Sequence, residues 1–281
     1  MTQGAPGAQA PQAGEGLLRS GLIGRARHRL RRGLVSLVKA LDSREDARFG
    51  IDASGRYDVL DLPTAERKEM YEAISGTTLK LLIGALNLKP DRFVFVDLGC
   101  GKGRPLCIAS RFRFRRVIGV ELSARLCEGA RRNVQAMLAA RDPVCPEVTV
   151  HHADAGAFAL PDADLVVYLF NPFAQSVLQK VLDNISQRID AGREVILIYH
   201  NPLFGWVVDA DPRLSRSRVG NLFGLAHRIL SVVPLAVYHS GPAPRRIGFW
   251  PDRAGLTGSR AMVGAYADTP AASDGRRSNE P

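Results

Sequence analysis

Cysteine is scarce in this chain. The four present, Cys100, Cys107, Cys127 and Cys145, form no C-x-x-C pair and have no histidines at zinc-finger spacing, so neither a disulfide framework nor a structural metal is indicated. Long apolar runs are missing as well, since no stretch approaches the ~20 residues that a membrane-spanning helix needs. The opening segment MTQGAPGAQAPQAGEG has no basic region followed by an apolar core and does not read as a secretory signal. Together these absences lead to the expectation of a soluble, cytoplasmic protein.

Acid is in deficit only at the two ends. The formal charge is +10, and it divides as +4 over residues 1–46, zero over 47–211 and +6 over 212–281. A neutral middle with basic flanks points to contact with an acidic protein or nucleic acid through those flanks, or to solubility alone.

What is present suits one domain with extensions: 281 residues, 46% hydrophobic and 23% charged. Residues 1–16 and 254–281 are rich in Gly, Ala, Pro and Ser without apolar periodicity, and read as disordered. Residues 17–46 carry Ile23, Ala26, Leu30, Leu34, Leu37 and Leu41 at intervals of three or four, interspersed with arginines, which predicts a basic amphipathic helix. Its plainest role is docking on the domain with the charges in water; a membrane interface or a nucleic acid are the alternatives. Because it lies outside the alternating units that follow, it is expected to be dispensable for ligand binding.

The domain itself is expected over 47–253. A helical stretch over 63–86 is broken by Pro90. Strands are then predicted at 93–98, 116–121, 147–151, 163–170 and 194–199, with helices at 104–112, 124–140 and 173–189 between them. Near-continuous Val, Ile, Leu and Phe in strands that alternate with helices imply a parallel sheet buried on both faces, hence a doubly wound α/β fold. Segments 235–239 and 246–250 are joined by Ser240-Gly-Pro-Ala-Pro, too short for a helical crossover, and predict a terminal antiparallel hairpin.

In such a sheet ligands sit just past the carboxyl ends of the strands. After the first strand comes Asp97-Leu-Gly99-Cys100-Gly101-Lys102-Gly103. This is not the G-x-G-x-x-G of a dinucleotide site, and Asp97 would repel phosphates there. A ligand with an amino-acid end and a cationic centre would welcome Asp97, and the glycines would admit it closely. The second strand ends at Glu121, followed by Leu122, where a carboxylate can accept both hydroxyls of a ribose; NAD and S-adenosylmethionine satisfy that signal alike. After the third strand, Asp154 either accepts from an adenine amine or caps the following turn.

VDLGCGKG, VIGVELS, HHADAGAF and YLFNPF, in this order, resemble successive motifs of the class I S-adenosylmethionine-dependent methyltransferases over residues 93–200. The resemblance implies a seven-stranded sheet with S-adenosyl-L-methionine as methyl donor. It also implies Asp97, Gly99, Cys100, Gly101 and Gly103 as the methionine-side loop, Glu121 and Leu122 at the ribose, and Asp154 and Ala155 at the adenine. Asn171-Pro172-Phe173 looks like a shortened form of the motif with which amino-directed methyltransferases orient an amine; Asn171 and Pro172 also make an ordinary helix start. His200, ending the fifth strand beside Tyr199, is the candidate for proton removal.

The expected function is methyl transfer by in-line displacement to an unidentified acceptor, with a protein amine such as lysine first and a small metabolite second. An NAD-dependent dehydrogenase, or a catalytically silent S-adenosylmethionine-binding module with basic flanks, remain as alternatives.

Overall fold

Runs of β-branched and aromatic residues build the sheet, and punctuated amphipathic segments cover it. A computed structural model of the chain describes residues 13–52, 75–140, 144–170, 173–220, 234–241 and 246–247. Two helices come first, α1 (Ala13–Phe49) and α2 (Gly76–Ala85). The alternating units follow: β1 (Phe93–Leu98), α3 (Arg104–Ala109), β2 (Arg116–Glu121), α4 (Ala124–Ala139), β3 (Val148–His152), β4 (Asp164–Phe170), α5 (Gln175–Asp190) and β5 (Val195–His200). Beyond them lie α6 (Gly205–Asp209), β6 (Leu214–Arg216), β7 (Arg218–Val219), β8 (Leu235–Ser240) and β9 (Arg246–Ile247).

Seven strands form one sheet in the order β3-β2-β1-β4-β5-β8-β6. The first five are parallel, and β8 runs antiparallel to both β5 and β6. The expected doubly wound, mostly parallel, seven-stranded sheet with an antiparallel end is therefore observed. Strand order reverses between β1 and β4, which creates a crevice at their carboxyl ends.

The sheet is buried on both sides. On one face Phe95, Val166, Tyr168 and Ile198 pack with Leu79, Leu82 and Ile83 of α2, Leu106 of α3 and Val134 of α4. On the other, Val96, Val167, Leu169 and Leu197 pack with Leu178, Val181 and Ile185 of α5 and with Val208 of α6. The central strands thus have no solvent-facing side, which is why they are apolar at consecutive positions and not at alternate ones. The helices carry local start signals: Ser75 caps α2 by accepting from the Thr78 amide, and Ser123 caps α4 by accepting from that of Leu126.

Two details differ from the sequence reading. The partner of β8 within the sheet is Leu214–Arg216, not Arg246–Trp250. With β5 on one edge of β8 and β6 on the other, no edge remains for a return strand. Arg246–Ile247 pairs instead with Arg218–Val219 in a separate two-stranded sheet, and 248–250 fall outside the described residues.

The second difference concerns α1. Its helix begins at Ala13, inside the segment expected to be disordered, and runs to Phe49, three residues past the expected end. The leucine positions do not carry its docking: Leu30, Leu37 and Leu41 are exposed, whereas Val38, Asp42 and Phe49 are buried. Docking combines the burial of Val38 and Phe49 with polar and ionic contacts. Asp42 Oδ1 accepts from the amide and hydroxyl of Thr77 at 2.9 and 2.8 Å, Glu45 pairs with Lys80 and Arg111, and Asp46 pairs with Arg104. Residues 63–74 of the expected second helix, the first twelve residues and the tail 254–281 lie outside the described residues.

Candidate active site at the carboxyl edge of the sheet

The loop after β1 is built from backbone in a conformation that only glycine enters freely. Gly99, Gly101 and Gly103 have φ of +83°, +53° and +75°. Crossing over the end of β2, the amides of Gly99 and Cys100 donate to the Val120 carbonyl at 2.8 and 3.0 Å, and Gly103 N–H donates to the Cys100 carbonyl at 2.8 Å. A close approach is thereby opened above Asp97. At Gly103 a Cβ would also stand 3.1 Å from the Ala130 Cβ, so α4 packs directly on the loop.

Asp97 is the least comfortable group in the site. It is 1% exposed, and neither carboxylate oxygen has a hydrogen-bond partner among the described residues. Burial first, and the neighbouring Glu121 second, push its carboxyl well above the usual range. Cys100 is buried beside it, and burial together with Asp97 and Glu121 raises its thiol far from the thiolate a nucleophile needs. Its contribution to the loop is backbone.

Glu121, at the tip of β2, is also buried. Its Oε2 accepts from the Gly101 amide at 2.8 Å and its Oε1 from the Ser123 amide at 2.9 Å. The carboxylate therefore ties the glycine loop to the start of α4. Leu122 follows, partly exposed, and its carbonyl lies 3.0 Å from His152 Nε2.

Past β3, Asp154 is exposed and Ala155 buried. Asp154 Oδ1 accepts from the Gly156 amide at 2.8 Å, and its carbonyl accepts from the Ala157 amide at 3.1 Å. This is the turn-capping arrangement that competed with the adenine contact in the sequence reading.

After β4, Asn171 and Pro172 lie outside the described residues. Phe173 is half-buried against the α5-side core. The N-cap of α5 is Ala174, with no side-chain cap bond, so the cap position is not the Asn171 that the sequence offered.

His200 is 2% exposed and sits on the α2 side of the sheet, its Nδ1 3.2 Å from the Tyr168 hydroxyl and its ring edge-on to Phe170 at 5.1 Å. Tyr199 points the opposite way, into the α5-side core. The alternation of side chains along a strand separates the two.

Three contributors escaped the sequence reading. Lys102 Nζ pairs with Asp52 Oδ2 at 2.9 Å, while Asn133 Nδ2 donates to the carbonyls of both Lys102 and Asp52, which pins the chain entering the domain to the glycine loop. Gly119, central in β2, leaves no room for a side chain: a Cβ there would meet Leu106 Cδ1 at 2.4 Å and Cys100 Sγ at 2.9 Å. A glycine inside an otherwise apolar strand is the one signal that could have marked this close packing. Tyr168 shares its register position with Asp97 on β1, a neighbour relation that depends on strand order.

A cavity of about 390 Å³ opens elsewhere, lined by Asp183, Ser186, Asp190 and Arg213 among others, and none of its lining belongs to this constellation. Among the described residues no group of His, Cys, Asp and Glu is arranged to hold a metal.

A doubly wound sheet whose reversal point carries a carboxylate, a three-glycine loop and a second carboxylate defines a Rossmann-like fold with a candidate ligand crevice at that point. Residues 95–192 match the family model described as methyltransferase domain. No curated protein matches the chain. Among solved structures it is similar to an RNA methyltransferase from Salinibacter ruber in complex with S-adenosyl-L-homocysteine, with 20% identity, 62% of this chain and 97% of that one covered, and a TM-score of 0.41. It is also similar to a SAM-dependent methyltransferase from Thiobacillus denitrificans in complex with the same compound, at 16% identity, 59% and 91% coverage and a TM-score of 0.38.

Proposed function

We propose that the protein transfers a methyl group to an amine nitrogen, with a protein amine such as lysine as the acceptor. The observation that carries the donor half of this reading is Asp97: a buried carboxylate without a hydrogen-bond partner among the described residues, next to a second carboxylate, calls for a cation. An ammonium or sulfonium group relieves that repulsion and a pyrophosphate worsens it, which favours S-adenosylmethionine over NAD.

S-adenosylmethionine supplies a methyl group on an activated sulfonium, so the protein's work is positioning. Asp97 takes the ligand's ammonium, and the glycine loop lets the ligand lie against backbone. Glu121 accepts from the ribose hydroxyls while it holds the loop, and Asp154 with the Ala155 amide reads the adenine. Leu122 covers the ring.

The acceptor half rests on Asn171-Pro172-Phe173. Asn171 accepts from the amine through its side-chain carbonyl and aims the nitrogen lone pair at the methyl group; Phe173, half-buried, limits the plane of approach. His200 receives the proton released on transfer, its ring held by Tyr168 and Phe170.

Calorimetry with S-adenosylmethionine and with NAD tests the first half, and binding of NAD alone would overturn it. For the second, a cell extract supplied with a labelled methyl donor is fractionated into protein, RNA and small molecules. Label in acid-stable protein amines is the expected result; label confined to RNA or to metabolites would overturn the acceptor assignment.

A further inference from the structure

We propose that the exposed leucine stripe of α1, with the basic residues around it, is a docking surface for an anionic phospholipid bilayer. Leu30, Leu37 and Leu41 are 66%, 56% and 45% exposed, and Leu34 between them is half-buried. At spacings of four, three and four residues they form a single line along the helix.

Among the described residues, the domain's docking contacts with α1 lie on another face. Val38, Asp42, Glu45, Asp46 and Phe49 make the docked side, roughly a quarter turn around the helix from the leucines. Three of those five are acidic and are engaged with Thr77, Lys80, Arg104 and Arg111. Everything from Gly16 to Leu41 is therefore left with seven Lys or Arg and no Asp or Glu. An exposed apolar stripe set in an acid-free, basic stretch of the helix is thus offered to a partner.

Charge decides which partner. A second copy would bring two such segments together with no acid on either to pair the arginines, so self-association is opposed. Nucleic acid rewards the arginines and leaves the leucines in water. A bilayer of anionic lipid uses both at once: leucines enter the acyl boundary while basic side chains reach the phosphates. By helical geometry position 29 lies about 100° from Leu30, so the exposed Arg29 sits beside the stripe. Held at its last turns by the domain, α1 would bring the protein to the surface without crossing it; among the described residues no helix is long and apolar enough to span.

The test is vesicle flotation with the full chain, using phosphatidylcholine vesicles and vesicles that also contain phosphatidylglycerol, at about 0.1 M salt where surface charge still acts. Wild type should float with the anionic vesicles at least about tenfold better than with the neutral ones. Leu30→Ser with Leu37→Ser should cut that binding about tenfold or more with the melting temperature unchanged, because both side chains are already in water. Arg29→Gln with Arg32→Gln should lose the preference for anionic lipid. The proposal is overturned if wild type stays off anionic vesicles. It is equally overturned if the leucine variant binds them as wild type does, or if sedimentation shows a wild-type dimer that the leucine variant abolishes. Retention on RNA or polyglutamate that depends on the leucines, without vesicle binding, would also reject it.

Discussion

The Glu121 carboxylate accepts the Gly101 amide at 2.8 Å, so one side chain at the tip of β2 holds the loop that follows β1. Its other oxygen accepts from Ser123, the residue that caps α4. The glycine loop and the start of α4 therefore share a single acid, and its replacement should be read in two ways. Glu121→Ala is expected to weaken S-adenosylmethionine by roughly 1–3 kcal/mol, the scale for a lost charged acceptor, and also to lower the melting temperature because two buried amides lose their partner. Calorimetry and thermal denaturation check the two effects; a lower affinity at unchanged melting temperature would mean that the loop does not depend on this tether.

Asp97 should show stability and binding moving in opposite directions. Its raised pKa means that the native state keeps the proton to higher pH than the unfolded chain does. Stability of the unliganded protein should thus fall as pH rises from about 4 through the raised native value, then level off. Affinity for the cationic ligand should climb over the same window as the carboxylate forms. Asp97→Asn should flatten both slopes, raise the melting temperature at neutral pH, and weaken the ligand about tenfold or more. Melting and binding measured across pH test this together, and a destabilised Asn variant would show that the carboxylate has a native partner.

Gly119→Ala should cost about 1–3 kcal/mol despite adding one methyl group, since Leu106 and Cys100 must move and both adjoin the glycine loop. Chemical denaturation reads the cost. Weaker binding of S-adenosylmethionine should accompany it, because Cys100 lies within the loop.

Truncations of α1 should divide at its acids. Removing residues 1–37 leaves Val38, Asp42, Glu45 and Asp46 in place and should keep the melting temperature near that of the full chain. Removing 1–46 strips Val38 and all three acids and leaves Arg104 and Arg111 without these carboxylates, so the melting temperature should drop by several degrees and ligand binding should weaken, Arg104 being next to Gly103. This revises the expectation that the whole segment is dispensable. Equal melting temperatures for the two truncations would argue that the ionic docking contributes nothing.

Asn171→Ala should reduce turnover by at least about 10²-fold with donor affinity little changed, the pattern of lost positioning. If Asn171 were a helix cap, about 1 kcal/mol of stability would go instead. Since the cap position of α5 is Ala174, the melting temperature is expected to stay close to wild type. Paired rate and melting measurements distinguish the outcomes, and a variant that is merely less stable would remove Asn171 from the proposed chemistry.

What the sequence determined by itself was whatever local physics specifies. Strands such as Phe93–Leu98 and Val195–His200 are legible because burial on both faces demands continuous apolar residues, and Asp97-Leu-Gly-Cys-Gly-Lys-Gly is legible because its three glycines answer to positive φ in the chain itself. Only the tertiary structure decided relations between segments. Periodicity marked the leucines of α1 as an apolar face, but the docked face is the one with Val38, Phe49 and the acids, whose partners Thr77, Lys80, Arg104 and Arg111 are supplied by α2, α3 and the turn after it. The partner of β8 was misread because edge occupancy is a property of the assembled sheet, in which β6 already filled the place. The Glu121 tether, the crowding at Gly119 and the placing of Tyr168 beside Asp97 likewise exist only once β2, β1 and β4 are neighbours. Strand order arises from long-range packing, and no local pattern encodes it.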